Sequence, residues 1–583
     1  MNYRKIFAGV ALVSIGLFGC NHNILNVPPT NFVSDDQVWS TTATADLFLN
    51  DIYNQLPDQN NEDEHLDQYT DNSDVGVLWM YGYANIATAQ LTSENGTPGA
   101  ADEWYYAENA LSGQSEIGNF DKVRRCNLFI EKVTASALPT SYKTLRIAEA
   151  RFLRALYYHW LWMAYGGVPI ITTVLDNNTQ GDSINRPRAT ADQTFAFIDT
   201  ELDTISQTLP ATVATSDLGR ATSGAALALK GWCELFEASA LRNPTNDPTR
   251  WAKASATNRQ LIGAGTYSLF SDFSTLFLVG SNNSSESIFA RQYGPNKGGS
   301  LEGKCGPTMD STGTVEHSWG NYQPTEELVD EFAMANGKLI TDPGSGYDPQ
   351  HPYANREPRF YETIVYDGAS WQGFTYKSRV GGNNQIDLGY SSDRTHTGYH
   401  ARKRLDESIP WASGLNGIAY QNYMYFRYAE VLLNFAEAEN EVNGPTSDVL
   451  AAVDQIRARG GIPTVEATYG PVDQVQMRAL IRHERRVELC FEDKRWWDVL
   501  RWKIADQMPD GTPGVLDRPE MGMVITTQPD GSLLYTPTKI RNRIFLPKMY
   551  LMPIPQNVLD QNPVMNQQNG GPDGWVNGQN PGY

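Results

Sequence analysis

The sequence predicts a mainly α-helical fold: a tetratricopeptide-like helix-hairpin scaffold with a long loop-rich insert and few short strands. Three observations favour this class. Apolar residues recur at helical spacing in a series of segments. Helix–turn–helix units of about 35 residues contain ladders of small residues. Between residues 265 and 423 the helical pattern gives way to Gly, Asn, Ser and Asp with short apolar runs.

Helical patterning begins near Thr42. The strongest segments, in chain order, are 119–134, 142–165, 189–208, 219–242, 250–264, 424–443, 446–459 and 474–492. In the second segment Phe152, Leu156 and Met163 fall on one face, which predicts a buried stripe. Gly166, the first of two consecutive glycines, is typical of a helix C-terminus.

Residues 426–460 have the pattern of a helical hairpin: a helix, a Gly-Pro turn and a second helix. Ala429, Ala436 and Ala438 are small enough for a partner helix to approach closely, as in tetratricopeptide pairs. A second ladder of alanines lies at 225–228. The alternative is a set of unrelated antiparallel helices, which would show similar spacing.

The net charge and the aromatic content limit which functions the protein can have. The 583 residues include 46 Lys and Arg against 67 Asp and Glu, a formal net charge of −21. An acidic field of this size repels phosphate backbones, so we expect no nucleic-acid partner. The chain also holds 14 Trp, 29 Tyr and 21 Phe. We expect many of these aromatic side chains to lie near the surface.

The first twenty residues resemble a lipoprotein signal peptide. Arg4 and Lys5 precede an apolar run, 6–18, which spans roughly 20 Å as a helix and is too short for a hydrocarbon core of roughly 30 Å. The run ends at Leu-Phe-Gly-Cys, so we expect Cys20 to be the lipidated first residue of the mature chain. Residues 21–42 then form a polar tether. The alternative is an ordinary secretory signal.

The sequence contains no motif for a metal site or for catalysis. The five cysteines are far apart, and neither CxxC, HExxH nor GxSxG occurs. Gly298 to Cys305 nearly matches a phosphate-binding loop, but Cys305 replaces the Ser or Thr that such a loop requires and no buried strand precedes it, so we interpret it as an ordinary loop. We expect no cofactor, no metal and no enzymatic activity.

Several segments carry a family resemblance. They are LFGC at 17–20, EARFLRALYYHWLWMAYGGVPI at 149–170, FRYAEVLLNFAEAENEV at 426–442, RHERRVELCFEDKRWWDVLRW at 482–502, YLMPIP at 550–555 and NPGY at 580–583. Together they resemble the SusD/RagB family of outer-membrane nutrient-binding lipoproteins, in that family's order. The resemblance implies four tetratricopeptide-like hairpins and a lipid-anchored protein that faces the outside as a lid on a SusC-like TonB-dependent transporter.

With this resemblance we divide the chain into five parts. They are the signal peptide 1–20, the tether 21–42, an N-terminal SusD-like helical region 43–264, the loop-rich insert 265–423 and a C-terminal SusD/RagB region 424–583.

Candidate ligand-binding residues lie in irregular segments, because loops on a rigid scaffold carry recognition. Trp and Tyr offer flat apolar faces to sugar rings, and Asp and Asn can hydrogen-bond sugar hydroxyls. The candidates are Asp71, Asp74, Trp79, Tyr81, Tyr83, Trp104, Tyr105 and Tyr106 in the N-terminal half and Tyr293, Trp319, Asn321 and Tyr322 in the insert. By contrast, we assign the tryptophans of the RWWDVLRW run to packing.

The sequence therefore favours a glycan-binding lipoprotein that captures oligosaccharides and delivers them to a transporter. Two alternatives remain open. One is an oligopeptide-capture member of the same family, and the other is a surface glycoside hydrolase, which needs two carboxylates roughly 5 to 10 Å apart across a sugar.

Overall fold

The computed structural model describes residues 35–62, 64–76, 85–94, 118–308, 318–389, 394–410 and 414–583. The main helices are α1 Thr42–Asn54, α2 Asn119–Ala135, α3 Thr140–Tyr165, α4 Ala191–Ser206, α5 Ser223–Ala238, α6 Pro248–Gly263, α7 Tyr428–Asn443, α8 Ser447–Arg459, α9 Gln474–Leu489 and α10 Arg495–Arg501. Shorter α-helices are Asp35–Val38, Asn177–Gln180, Leu301–Cys305, Glu326–Glu331, Pro358–Thr363, Val465–Tyr469, Gln556–Gln561 and Pro563–Asn566. Single 3₁₀ turns occur at Leu66–Tyr69, Gly181–Ile184, Thr215–Asp217, Val279–Ser281 and Pro547–Tyr550.

Helices α1 to α9 form a continuous array in which neighbouring helices pack against one another. Helices α1 to α6 pack successively against one another, α6 packs against α7, and α7 packs against α8 and α9. The predicted ladder of alanines on α7 is buried, since Ala429, Ala436 and Ala438 have no exposed surface. The predicted fold class is confirmed: a helix-hairpin scaffold with few short strands.

Local chemistry explains where these helices begin and end. Helix α3 ends at Gly166, which has φ +72° and donates its N–H to the Trp162 carbonyl oxygen. Helix α9 begins with a capping box, in which the Asp473 side chain accepts from the Gln476 N–H and the Gln476 side chain accepts from the Asp473 N–H. Thr446 caps α8 through its side chain, which accepts from the N–H of residue 449.

The strands form two-stranded antiparallel pairs. They are β1 Ser73–Asp74, β2 Ser287–Arg291, β3 Gln323–Pro324, β4 Ile364–Val365, β5 Ser370–Trp371, β6 Phe374–Thr375, β7 His400–Ala401, β8 Tyr423–Arg427, β9 Glu520–Thr527 and β10 Leu533–Arg541. The pairs are β1 with β3, β2 with β8, β4 with β7, β5 with β6 and β9 with β10. Of these, β9 and β10 form the longest hairpin, so the strands serve to fasten loops and do not build a sheet core.

The prediction of a helix from residue 424 was wrong at its first turn. Residues 423–427 are strand β8, which pairs with β2 in the insert, and α7 begins only at Tyr428. The aromatic run Tyr-Met-Tyr-Phe suits a pleated strand, but its partner lies far away in the sequence. Apolar spacing alone did not reveal the change.

The insert has its own apolar core. Tyr353, Phe360, Tyr376 and Tyr399 are buried in one cluster, and Phe491 from the C-terminal region completes it. The core of the insert is therefore continuous with the scaffold at this point. In the part of the chain that the structure describes, no helix is both long enough and apolar enough to cross a membrane.

Candidate functional site

The structure brings two of the predicted binding segments together, although they are distant in the sequence. Strand β1 pairs antiparallel with β3, with Ser73 opposite Pro324 and Asp74 opposite Gln323. The contact continues at Gly76, where a Cβ would lie 2.5 Å from the carbonyl oxygen of residue 319. This close approach requires glycine at position 76. Residues 71–76 and 318–325 thus form one element, which we call the β1/β3 site.

Asp71 holds the β1/β3 site in place through ion pairs with arginine. Its two carboxylate oxygens accept from Nε and Nη2 of Arg495 at 2.8 and 2.7 Å, and Arg486 lies 3.0 Å away. Burial opposes the ionised carboxylate, but the charges of Arg486 and Arg495 outweigh burial and hold the pKa of Asp71 far below its usual range. Both oxygens are committed to arginine, so Asp71 fixes the loop and offers no free acceptor to a sugar.

Asp74 has a similar role. Its Oδ2 accepts from Nη2 of Arg541 at 2.7 Å and lies 3.2 Å from Nδ1 of His396, while its Oδ1 accepts from the Val75 N–H at 2.7 Å. Burial raises the pKa of Asp74, yet Arg541 and His396 more than offset this and lower it overall. The ion pair between Asp74 and Arg541 therefore links β1 to β10.

Asn321 and Tyr322 lie inside the protein. Both are fully buried. The Tyr322 ring packs between His65 and Phe491, with ring centroids 4.6 and 4.9 Å away. The Asn321 backbone carbonyl accepts from the Gln68 side chain at 2.6 Å. In this conformation neither side chain presents a face to a ligand.

Among the candidate ligand-binding residues that the structure describes, Trp319 is the one suited to stack against a sugar ring. The residue is partly exposed, and the Lys304 Nζ lies 6.0 Å from the ring centroid. The Trp319 backbone N–H donates to the Gly303 carbonyl at 2.8 Å, and Lys304 donates to the Asn61 carbonyl. The backbone is therefore fixed while part of the residue remains accessible. The sequence prediction omitted Lys304, whose only signal was its place in the near-match to a phosphate-binding loop.

Tyr293 lies in a different environment from Trp319. Its hydroxyl donates to Asp58 Oδ1 at 2.6 Å and accepts from the Asn60 N–H at 3.2 Å. The Arg291 guanidinium lies over the ring, 5.5 Å from its centroid. These contacts fasten the insert to the segment that follows α1.

The remaining predicted site residues lie outside the described residues. They are Trp79, Tyr81, Tyr83, Trp104, Tyr105 and Tyr106, together with the lipidation residue Cys20.

A buried ion network connects the insert to the scaffold. Arg427, at the end of β8, contacts Glu286 and Glu488 at 2.6 Å and Glu492 at 2.7 Å. Arg359, from the insert, reaches Glu488 at 3.2 Å. Such fully buried pairs are costly to break, because one charge would be left unpaired. The charged run at 482–502 is thus part of the scaffold.

The tryptophans of the RWWDVLRW run are also structural, as predicted from the sequence. Trp496, Trp497 and Trp502 are buried. Among the described residues, no group of three or more His, Cys, Asp or Glu side chains has the arrangement of a metal site. The near-match to a phosphate-binding loop was predicted to be a loop throughout, which is wrong for its second half, because Leu301–Cys305 form a short α-helix. At its start, glycine is needed for packing, since a Cβ at Gly298 would collide with the Gly417 carbonyl.

Comparison with known proteins identifies the family. A model described as "SusD family" matches residues 285–575, and a second, described as "Starch-binding associating with outer membrane", matches residues 33–231. The chain belongs to the SusD family. The two matches together cover most of the scaffold and most of the insert, including both segments of the β1/β3 site.

Curated SusD-like proteins align with this sequence over most of its length. The SusD-like protein P38 of Formosa agariphila is 25% identical over 516 residues, which are 85% of this chain and 90% of the relative. A SusD-like protein of Bacteroides ovatus is 24% identical over 468 residues, which are 75% of this chain and 77% of the relative.

Solved structures share the SusD-like fold. A SusD-like protein from Bacteroides fragilis superposes with a TM-score of 0.73 at 26% identity, over 94% of this chain and 99% of its own. A second protein from that organism, described as a SusD-like carbohydrate binding protein, gives 0.72 at 24% identity, over 90% and 99%. A laminarin binding SusD-like protein gives 0.64 at 20% identity, over 94% and 100%.

Proposed function

We propose that this SusD-family protein is a surface-exposed lipoprotein that captures oligosaccharides and delivers them to a SusC-like TonB-dependent transporter in the outer membrane. The observation that carries the proposal is the β1/β3 pairing, which brings together two of the predicted binding segments and leaves Trp319 partly exposed beside their junction. Aromatic faces on a rigid base suit the C–H faces of sugar rings. Two fold relatives named for carbohydrate and laminarin binding support this ligand class.

The charges at the site favour binding over hydrolysis. A glycosidase needs a carboxylic acid that stays protonated near neutral pH and reaches the glycosidic oxygen. At the β1/β3 site Asp71 and Asp74 have lowered pKa values and arginine partners. Glu326 and Glu520, whose pKa values are raised to about 8, are buried. These four groups lack the combination of protonation and access that hydrolysis requires.

A glycan and peptide array tests the ligand class. Purified protein is expected to retain one set of oligosaccharides and no peptides, and chromatography of the bound glycan after long incubation is expected to show no shortened product. Retention of peptides alone would favour the oligopeptide-capture alternative. Release of shorter sugars, lost on substitution of a specific carboxylate, would favour the hydrolase.

Co-purification tests the transporter partner. A C-terminal tag and gentle detergent extraction from the native host are expected to recover a large outer-membrane barrel with the protein, through an interface above roughly 1,000 Å². Recovery of the tagged protein alone from membranes that contain the transporter would contradict the delivery step.

A further inference from the structure

A cationic groove lies on the helical scaffold and shares no residue with the β1/β3 site. It has a volume of about 390 Å³, within the size range of small-ligand pockets. Its walls are the connection between α5 and α6, the start of α6, the end of α7, the first half of α9 and the residues that follow α10. We call it the arginine groove, and its defining residues are Trp251, Glu441, Arg478, Arg482, Trp502 and Lys503.

Arg482 is an uncompensated cation in this groove. Its guanidinium carbon lies 4.6 Å from the centroid of the Trp502 ring. Its Nε is buried and has no hydrogen-bond partner among the described residues, and none of them forms an ion pair with its guanidinium within 4 Å. Burial lowers the pKa of Arg482, although the charge of Glu437 opposes this change. The residue as a whole is partly exposed, so an anion in the groove can reach the guanidinium, and a buried N–H without an acceptor is unfavourable until one arrives.

The nearby carboxylates are already occupied. Glu437 accepts from Arg501 and from the Trp502 indole N–H, at 2.6 to 2.7 Å. Glu441 pairs with Arg478, whose Nη2 lies 2.6 Å from its Oε2. The ion pairs of Glu437 and Glu441 therefore hold the helices around the groove in place. Both carboxylates are engaged with cations other than Arg482.

Lys503 adds a second cation at the exposed rim. Its side chain has no ion-pair or hydrogen-bond partner within the described part of the chain, and its backbone lies in the left-handed region with φ +57°. Glycine is the usual residue at this position after a helix. Here the position carries an ammonium group, which lines the groove together with Arg482.

We propose that the arginine groove is a binding site for a carboxylate or sulfate group on a small ligand, with Arg482 and Lys503 as the residues that contact the anion. Planar guanidinium groups match such oxyanions with paired N–H donors, and lysine contributes a flexible point charge. The whole chain has a formal net charge of −21, whereas these two side chains give the groove a locally positive charge. The Trp502 ring lies against the Arg482 guanidinium and restricts its position.

Calorimetry on the full-length protein tests the proposal with sodium glucuronate, a sulfated monosaccharide, inorganic sulfate and glucose. Glucuronate, the sulfated sugar or both are expected to bind, and neutral glucose is expected not to. Binding of inorganic sulfate with equal affinity would identify an oxyanion site that ignores the sugar ring. Binding of the charged sugars alone would show that the ring contributes.

Two substitutions connect any binding to the groove. Arg482→Gln is expected to weaken it at least tenfold, as loss of a charge-assisted contact does. Lys503→Gly removes the ammonium and suits φ +57°, so it is expected to weaken binding several-fold without lowering the melting temperature. Lys539→Gln, which removes an exposed charge on β10, is the control for net charge and is expected to leave affinity unchanged.

Thermal melting separates a binding role from a structural one. Arg482→Gln removes an unpaired charge that is only partly exposed, so its melting temperature is expected to stay equal to that of the wild type or to rise. Absence of anion binding in the wild type would overturn the proposal, as would affinity that is the same in all three variants. If Arg482→Gln does not fold, Lys503→Gly alone still decides between these outcomes.

Discussion

Asp71 and Arg495, 424 residues apart, form a bidentate pair with N–O distances of 2.8 and 2.7 Å. Both residues are buried. The pair fastens the loop that leads into β1 onto the start of α10. A candidate ligand residue thus becomes a structural link between the first and last parts of the fold.

Asp71→Asn is expected to destabilise the fold by roughly 3 to 5 kcal/mol, because it leaves Arg495 without its buried counter-charge. Denaturant unfolding measures this free energy. The matched control is Asp182→Asn, which changes an exposed aspartate and should shift the free energy by less than about 0.5 kcal/mol. If both variants unfold like the wild type, the pair does not support the fold.

Glu326 gives a pH-dependent prediction. Burial, reinforced by the charge of Asp330, raises its pKa from 4.5 to about 8. The folded state therefore holds a proton that the unfolded chain loses above about pH 4.5. Its contribution to stability is fully present below that pH and declines as pH rises towards about 8.

Glu326→Gln stays neutral and keeps an acceptor for the Tyr399 hydroxyl, which donates at 2.7 Å in the wild type. It is expected to match the wild type near pH 4.5 and to be more stable at about pH 8, on the order of 2 to 4 kcal/mol. Unfolding curves at both pH values measure the difference. Glu131→Gln, an exposed control, should show no such trend.

Ala436→Trp tests the hairpin packing. Ala436 is fully buried on α7, so the added ring should overpack the contact and cost on the order of 1 to 3 kcal/mol or more. The control Ala451→Trp lies on the exposed face of α8 and should melt near the wild-type temperature. Equal melting temperatures for the two variants would argue against a close-packed interface.

Trp319→Ala tests the β1/β3 site. It is expected to weaken glycan binding by roughly 1 to 3 kcal/mol with the fold retained, because the residue is partly exposed. We expect the same of Trp79→Ala or Trp104→Ala. Tyr322→Ala is the contrasting variant, since it empties a buried position and should destabilise the core by about 3 to 5 kcal/mol. Calorimetry and a thermal melt on the same samples distinguish these effects.

Cys20→Ala tests the anchor. If Cys20 carries the lipid, the variant is expected to move from the membrane pellet to the soluble fraction, because acyl chains provide the attachment. Fractionation of salt-washed membranes measures the distribution. Undiminished pelleting of the variant would falsify lipid anchoring at this residue.

The sequence by itself determined the helices and the family. Helical hydrogen bonds join residues four apart, so local spacing, the glycine at 166 and the cap at Asp473 are sufficient to locate helix ends within a few residues. The segments at 149–170 and 482–502 likewise carried the family resemblance. These signals are local, and they require no knowledge of what lies across the fold.

Only the tertiary structure decided which candidate side chains are accessible. Asp71 and Tyr322 have the residue types of a sugar site, but their burial depends on Arg495 and Phe491, which are distant in the sequence. Strand β8 was missed for the same reason, because its partner is β2. Arg482 stands in a run of scaffold charges, and only the positions of its described neighbours show that its Nε lacks an acceptor. Burial and charge pairing are properties of long-range contacts, which local periodicity does not encode.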